Sequence, residues 1–159
     1  MWDSSNTELS YKGKRVDSIA WSRDEIEDNT NILFDAQIKN GGNFNIILYG
    51  NGRFKSWVDG SIISISDLGG NELNLSIKNG GIDDNARSLL NEKVAVNNGI
   101  SGEYQIQVIN GKLSINLDGT SLLKGLKLNS NLSGRVGFGN IEKATSPYSI
   151  SHIKIFSIK

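Results

Sequence analysis

The sequence predicts an all-β protein, a two-sheet antiparallel β-sandwich formed by a single domain that spans residues 1–159. Three observations support this prediction. Many short segments alternate between apolar and polar residues, as strands do when they bury one face and expose the other. The chain has eighteen glycines and one proline, which favours frequent turns over long helices. Signals for helices are few, so two packed sheets are the architecture that buries the alternating faces.

Two segments in the first half of the chain show the alternation clearly. In residues 31–39 (NILFDAQIK), every second residue from Ile32 to Ile38 is apolar, and residues 72–78 (ELNLSIK) repeat the pattern. We expect these apolar residues to face the core, since successive side chains of a strand point to opposite faces. Further strands are expected at 7–12, 16–21, 43–49, 53–58, 61–66, 120–123, 134–139 and 148–158.

Residues 102–119 carry the strongest local signal, the dipeptide Asn110–Gly111 between two alternating runs. Asn-Gly is a preferred sequence for a two-residue hairpin because both turn positions need positive φ. This segment therefore predicts two adjacent antiparallel strands.

Two segments favour a helix instead. Residues 22–25 (SRDE) have the spacing of a capping box, and residues 83–93 (DDNARSLLNEK) predict a short helix after an Asp or Asn cap. Both are short, so they add little to a fold dominated by strands.

Composition and charge exclude several classes of function. Seventeen basic residues balance seventeen acidic ones and neither sign forms a block. Nucleic acid is therefore not expected as a partner, because its phosphate backbone is bound by a basic stripe. Hydrophobic residues make up 37% of the chain, and no apolar run reaches the length of a membrane-spanning helix, so no membrane insertion is expected. The chain has no cysteine, so stability must come from the core rather than from disulfides.

The C-terminal part of the chain combines a hairpin, a glycine-rich strand and a last alternating strand. The two segments are GEYQIQVINGKLSINLDGTSLL at 102–123 and SGRVGFGNIEKATSPYSISHIKIFSI at 133–158. In these motifs the sequence resembles the closing strands of the concanavalin A-like lectin and glucanase superfamily, which includes the laminin-G-like jelly rolls. The resemblance implies a jelly roll of two curved antiparallel sheets, with a carbohydrate site on the concave sheet in many members.

The resemblance also implies that the chain is a module of a larger protein. Members of the superfamily include plant lectins and the sugar-binding modules attached to enzymes and phage tail proteins, and their adjacent termini make such modules easy to append or insert. Met1 could therefore mark the start of a piece cut from a longer exported chain. An extracellular or virion-surface location is expected.

The sequence predicts no enzymatic activity. Glucanases of this superfamily carry Glu-x-Asp-x-x-Glu on a concave strand, whereas the segment EIED at 25–28 places its acids out of that register. We interpret this segment as a solvated acidic loop. The only histidine, His152, alternates with Lys154 on the outer side of the last strand, and we interpret it as a surface residue.

No cofactor is expected, although one calcium possibility stays open. Asp83, Asp84 and Asn85 lie in a glycine-rich loop and offer the oxygen ligands that Ca²⁺ favours. A plain turn is the alternative interpretation of this loop.

The candidate ligand site is the outward side of the two strands predicted in residues 43–60 (NFNIILYGNGRFKSWVDG), which combines rings with polar side chains. Proteins bind sugars by placing aromatic rings against C–H groups and by exchanging hydrogen bonds with hydroxyls. The predicted ligand-binding residues, including two from a neighbouring strand, are Trp57, Tyr49, Arg53, Asn45, Lys55, Gln37 and Asp35. The alternative is that these side chains only stabilise an exposed sheet face.

The sequence thus predicts a non-catalytic, lectin-like module whose partner is a glycan or polysaccharide. A shallow site of this kind binds weakly, so homo-oligomerisation through a parent protein would be useful. Two alternatives remain: a structural or oligomerisation module of a fibre or tail protein, and a divergent glycoside hydrolase.

Overall fold

A computed structural model describes residues 9–11, 18–52, 60–79, 87–128, 131–140 and 148–158, and these residues form twelve β-strands. The strands are β1 (Leu9–Tyr11), β2 (Ser18–Ile26), β3 (Thr30–Ile38), β4 (Asn43–Gly50), β5 (Ser61–Gly69), β6 (Glu72–Asn79), β7 (Arg87–Ala95), β8 (Gly102–Ile109), β9 (Lys112–Leu117), β10 (Thr120–Lys127), β11 (Gly134–Asn140) and β12 (Tyr148–Ser157).

The strands form two six-stranded antiparallel sheets that pack face to face. The first sheet has the order β1-β12-β3-β8-β9-β10, and the second has the order β2-β11-β4-β5-β6-β7. The chain changes sheet between β2 and β3 and again between β3 and β4. The predicted all-β sandwich is confirmed, and strands that are neighbours in sequence can lie in opposite sheets.

The core lies between the sheets and consists of the inward faces that the alternation predicts. Ile32, Phe34 and Ala36 of β3 are buried, as are the apolar residues of β6, β8 and β9. Phe34 stacks on Tyr104 of its own sheet, with ring centroids 5.3 Å apart. It also meets Phe138 of the second sheet edge-on at 5.2 Å. Such pairs contribute about 0.5–1.5 kcal/mol each beyond burial, so this aromatic cluster joins the two sheets.

The hairpin between β8 and β9 forms at the predicted dipeptide. Asn110 and Gly111 have φ of 51° and 72°, and Ile109 pairs with Lys112 across the turn. The positive φ at both positions explains why the sequence places Asn and Gly there.

Both helix predictions are wrong within the described residues. Residues 22–25 belong to β2, and residues 87–93 belong to β7. In β7 most side chains are exposed because the strand lies at the sheet edge, so its sequence lacks the alternation that marks a half-buried strand. Pairing with β6 outweighs local helix propensity here.

Within the part of the chain that the structure describes, no helix has the length and hydropathy needed to span a membrane.

Candidate functional site

Tyr49 does not face solvent, and the predicted orientation of its ring is wrong. The side chain is 1% exposed and belongs to the main core cluster. The cause is a bulge in β4: Gly50 pairs with Arg135 and Ile47 pairs with Gly137, so β4 holds one more residue than β11 over this stretch. Tyr49 takes a φ of 62° in the bulge. The extra residue shifts the phase of the strand and turns the ring inward, so the ring cannot stack on a sugar.

Asn45 lies on the outer face of the second sheet, as predicted, but its side chain is 3% exposed. Its amide oxygen accepts a hydrogen bond from Ser64 Oγ at 2.6 Å, and its Nδ2 donates to the carbonyl of Gly139 at 3.4 Å. These bonds connect β4 with both neighbouring strands. In this arrangement Asn45 holds the sheet together and offers little surface to a ligand.

An apolar row covers the same outer face next to Asn45. Trp21, Ile47 and Ile62 form a separate cluster and are each buried. Gly137 pairs with both Trp21 and Ile47, and a Cβ on Gly137 would lie 2.9 Å from the indole. The indole therefore rests against a strand that lacks a side chain at this point, and this part of the face is not an open trough.

Asp35 and Gln37 lie on the outer face of the first sheet, because Phe34 and Ala36 of the same strand point into the core. The two outer faces point away from each other. Asp35 and Gln37 therefore cannot join Asn45 in one site, which corrects the predicted grouping.

The remaining predicted residues, Trp57, Arg53 and Lys55, lie outside the described residues, as do the predicted strand at 53–58 and the calcium candidates Asp83, Asp84 and Asn85. Their roles stay predictions. Among the described residues, no group of three or more His, Asp or Glu side chains is arranged to hold a metal ion.

A large cavity lies where the two sheets end side by side, and we call it the edge cleft. It is lined by residues 22–30 of β2 and the following turn, by residues 152–158 of β12 and by Ser133, and it has a volume of about 910 Å³. In the described part of the chain, β2 pairs with β11 alone, and beyond Ile150 β12 pairs with β3 alone. The cleft therefore lies between two strand edges, and its volume suits a small-molecule ligand.

The turn on one side of the edge cleft is held in place by hydrogen bonds. Asp28 Oδ1 accepts from the backbone N–H of Asn29 at 2.8 Å and of Gly111 at 3.0 Å. The carbonyl of Glu27 accepts from Thr30 Oγ1 at 2.6 Å and from the hydroxyl of Tyr49 at 3.3 Å. The turn is thus fixed to the β8–β9 hairpin and to the core, and the Asp28 carboxylate is held by two backbone N–H groups.

From inside the core, the Tyr49 hydroxyl thus holds the Glu27 carbonyl at the wall of the edge cleft. Burial, and after it the nearby Asp28 carboxylate, raises the pKa of the Tyr49 hydroxyl above its usual value. The hydroxyl therefore stays protonated at neutral pH and remains a donor to the Glu27 carbonyl.

Both strands that line the edge cleft carry bulges. In β12, Ser151 pairs with Asp35 and Lys154 pairs with Leu33, so one extra residue is inserted. His152 sits in this bulge with a φ of 53°. In β2 a second irregularity falls between Trp21 and Glu25. Bulges redirect side chains and occur often at sheet edges and near binding sites.

His152 is a surface residue, as predicted, with a side chain that is 76% exposed. The bulge brings its Nδ1 within 2.8 Å of Asp35 Oδ2. His152 and Lys154 also line a smaller cavity of about 260 Å³ on the outer face of the first sheet, with Leu33, Asp35 and Glu103. We call this second cavity the face cleft. Both clefts are therefore lined by residues of β12.

The edge cleft combines side chains that suit a polyhydroxylated ligand. Phe156 is 46% exposed and offers an apolar ring. The cleft also has four carboxylates, which accept hydrogen bonds from hydroxyls, and two cationic side chains, which donate. The carboxylates are Asp24, Glu25, Glu27 and Asp28, and the cations are Arg23 and Lys154.

From the sequence, residues 25–28 were interpreted as a solvated acidic loop and His152 as a surface residue, so neither was predicted to bind a ligand. Alternation placed Lys154 on the outer side of the last strand, and Phe156 follows at the same spacing but was not singled out. It could not show that β2 and β12 end at the same side of the sandwich, because this depends on which sheet each strand joins. An aromatic residue, Phe156, at an outward position of the last strand was the one signal in the sequence that could have indicated a ligand site there.

Comparisons with known proteins agree with the fold. No protein-family model and no curated protein sequence matches the chain. Carbohydrate-binding module CBM66 from Bacillus subtilis superposes with a TM-score of 0.64 at 13% identity, covering 98% of this chain and 99% of that chain. A variant of human galectin-16 gives 0.56 at 9% identity, covering 93% and 100%. Sheep galectin-11 gives 0.53 at 8% identity, covering 89% and 98%. The chain is a jelly-roll β-sandwich.

Proposed function

We propose that this protein is a non-catalytic carbohydrate-binding module. It attaches a larger extracellular or virion-surface protein, or a glycan-degrading enzyme, to a glycan or polysaccharide. The edge cleft is the proposed site.

The observation that carries the proposal is that an exposed aromatic residue and several carboxylate residues line one cavity. Phe156 of β12, which is 46% exposed, lines this cavity together with Glu25 and Glu27 of β2 and its turn. A sugar ring has apolar C–H groups and polar hydroxyls, so it can pack on the phenyl ring while its hydroxyls bond to the carboxylates.

The similar solved structures support the proposal at the level of fold. One is named as a carbohydrate-binding module, and each chain covers almost all of the other. Two others are galectins. A fold does not determine a function, so the cleft rather than the likeness carries the argument.

A partly exposed site of this kind is expected to bind with a dissociation constant between about 1 mM and 1 μM, or about −4 to −8 kcal/mol. Several copies on one parent protein would raise the effective affinity without new contacts. A homo-oligomeric parent therefore fits the proposal.

Trp57, Arg53 and Lys55 stay in the proposal as contributors predicted from the sequence. They follow Gly52 in the chain, beyond the end of β4. The Trp57→Ala variant tests whether this segment adds to binding.

A binding panel tests the proposed function. The probes are soluble neutral polysaccharides (laminarin, inulin, dextran and galactomannan) and two acidic ones (alginate and polygalacturonate), measured by affinity electrophoresis and calorimetry. We expect the wild type to bind at least one neutral member, and Phe156→Ala to weaken binding about tenfold, because it removes the packing surface of the ring.

Leu68→Ala is the matched control, since Leu68 is also 46% exposed but lies on β5, outside the cleft. It should bind like the wild type. No binding to any panel member would contradict the proposed function and favour a structural module. Release of reducing sugars from a panel member would contradict the non-catalytic assignment.

A further inference from the structure

We propose that the ligand is an internal stretch of a neutral glycan chain that passes from the edge cleft over β12 into the face cleft, where Asp35 and Glu103 form a second subsite. This inference rests on the proposed function and specifies the ligand of that same site. Nothing in the sequence alone places these two carboxylates near the edge cleft.

The two clefts are adjacent, since they share two lining residues. His152 and Lys154 line both cavities. On the outer face of the first sheet, Lys154 pairs with Leu33, and Asp35 pairs with both Ser151 and Glu103. Neighbouring strands are about 4.8 Å apart, so the path from β12 through β3 to β8 is about 10 Å wide. A hydrogen bond is much shorter than this distance, so one sugar that bonds to residues of β12 would not also reach Glu103 of β8. The distance therefore favours a chain of sugars over one sugar.

The face cleft contains two carboxylates that repel each other, and a ligand could reduce this repulsion. Asp35 and Glu103 are directly opposite each other on adjacent strands, and like charges in that position destabilise a sheet. His152 contacts Asp35 on one side. Sugar hydroxyls that donate to both carboxylates would reduce their repulsion, and Leu33 offers an apolar surface beside them.

The net charge of the residues that line the two clefts favours a neutral glycan. The edge cleft has four carboxylates against two permanent cations, Arg23 and Lys154. The face cleft adds two more carboxylates and no further Arg or Lys. A glycan that carries uronic acids or sulfates would meet a net negative surface and be repelled, whereas hydroxyl groups find many acceptors.

The test compares short and long fragments of whichever neutral polysaccharide of the panel binds. We expect the hexasaccharide to bind about tenfold more tightly than the disaccharide, because only the longer chain reaches both subsites. Glu103→Ala should reduce hexasaccharide affinity about threefold to tenfold, the effect of one or two lost hydrogen bonds. The same variant should leave disaccharide affinity within about twofold.

Glu92→Ala is the control, because Glu92 is an exposed carboxylate on the edge strand of the other sheet. It should leave both affinities unchanged. Equal affinity for both fragments, or no effect of Glu103→Ala, would overturn the second subsite and leave the proposed function standing. Tighter binding of alginate or polygalacturonate than of every neutral member would overturn the choice of a neutral glycan. Absence of all binding would overturn both proposals.

Discussion

At the scale of single residues, Tyr49 shows how one bulge changes the role of a side chain. Alternation along β4 predicts an outward ring, but the extra residue in the strand turns the ring into the core. Its hydroxyl then supports the Glu27 carbonyl at the edge cleft. Strict alternation cannot reveal such a bulge, because it depends on pairing with β11.

Replacing Tyr49 by phenylalanine should therefore affect stability more than binding. We expect Tyr49→Phe to lower the free energy of unfolding by about 0.5–1.5 kcal/mol, the net contribution of one hydrogen bond. Urea denaturation measures this change. The Thr30 hydroxyl still donates to the same carbonyl, so glycan affinity should stay close to that of the wild type. Lost binding at unchanged stability would mean that the hydroxyl itself takes part in ligand binding, and would contradict a purely structural role.

Buried tyrosines also predict a dependence of stability on alkaline pH. Burial, followed by the nearby Asp118 and Asp67, raises the pKa of Tyr104 above its usual value. An unfolded tyrosine loses its proton near pH 10, while the folded one keeps it. The free energy of unfolding should be unaffected by Tyr104 below about pH 10 and should fall as pH rises further.

Urea denaturation between about pH 8 and pH 11 measures this dependence, since the range spans the usual tyrosine pKa. Tyr104→Phe removes one titrating group, so its stability should fall less steeply above about pH 10 than that of the wild type. Identical slopes in the two proteins would contradict the assignment.

At the scale of elements, the sequence determines which face of most strands is buried, but it does not identify edge strands well. The alternation in β3, β6, β8 and β9 gives the core correctly. It fails in β7, where residues 87–93 resemble a helix because an exposed edge strand has little apolar alternation. The alternation of apolar and polar residues reflects which side chains are buried. An edge strand such as β7 buries too few side chains for the alternation to show that it is a strand.

Strand β11 shows a second kind of element-level constraint, a close approach to an aromatic ring. A Cβ on Gly137 would lie 2.8 Å from Ile19 Cγ2 and 2.9 Å from Trp21 Cε3. We expect Gly137→Ala to lower the free energy of unfolding by about 1–3 kcal/mol through overpacking, as measured by thermal or urea denaturation. In a Trp21→Leu background the cost should be smaller, because the new methyl group no longer meets the indole. An equal cost in both backgrounds would contradict this packing.

At the scale of the whole molecule, the fold class followed from the sequence but the site did not. Asp35 and Asn45 lie close together in the chain on strands β3 and β4, and yet they point away from each other on opposite outer faces. Conversely, Glu25 and Phe156 are far apart in sequence and line one cleft. The sheet topology places Asp35 and Asn45 on different sheets, and it brings the strands of Glu25 and Phe156 to the same edge of the sandwich.

The sandwich also explains why a ligand site can form at its edge. Some polar groups on the outer face of the second sheet bond to each other, as Asn45 does with Ser64 and Asn74 with Asn91. At the edge cleft, by contrast, two strand edges that both carry bulges lie side by side, and charged residues and a phenylalanine line one cavity. The edge is therefore the part of the surface where we propose that a ligand binds.

Mapping of the bound ligand by nuclear magnetic resonance tests this account most directly. The strongest binder of the neutral panel is added to the isotopically labelled protein, and shifts of the backbone amide signals are recorded. The account predicts that the largest shifts fall in residues 22–30 and 152–158, with smaller ones at Asp35 and Glu103. Shifts that instead concentrate in residues 61–66, 74–78 and 91–93, on the outer face of the second sheet, would contradict it.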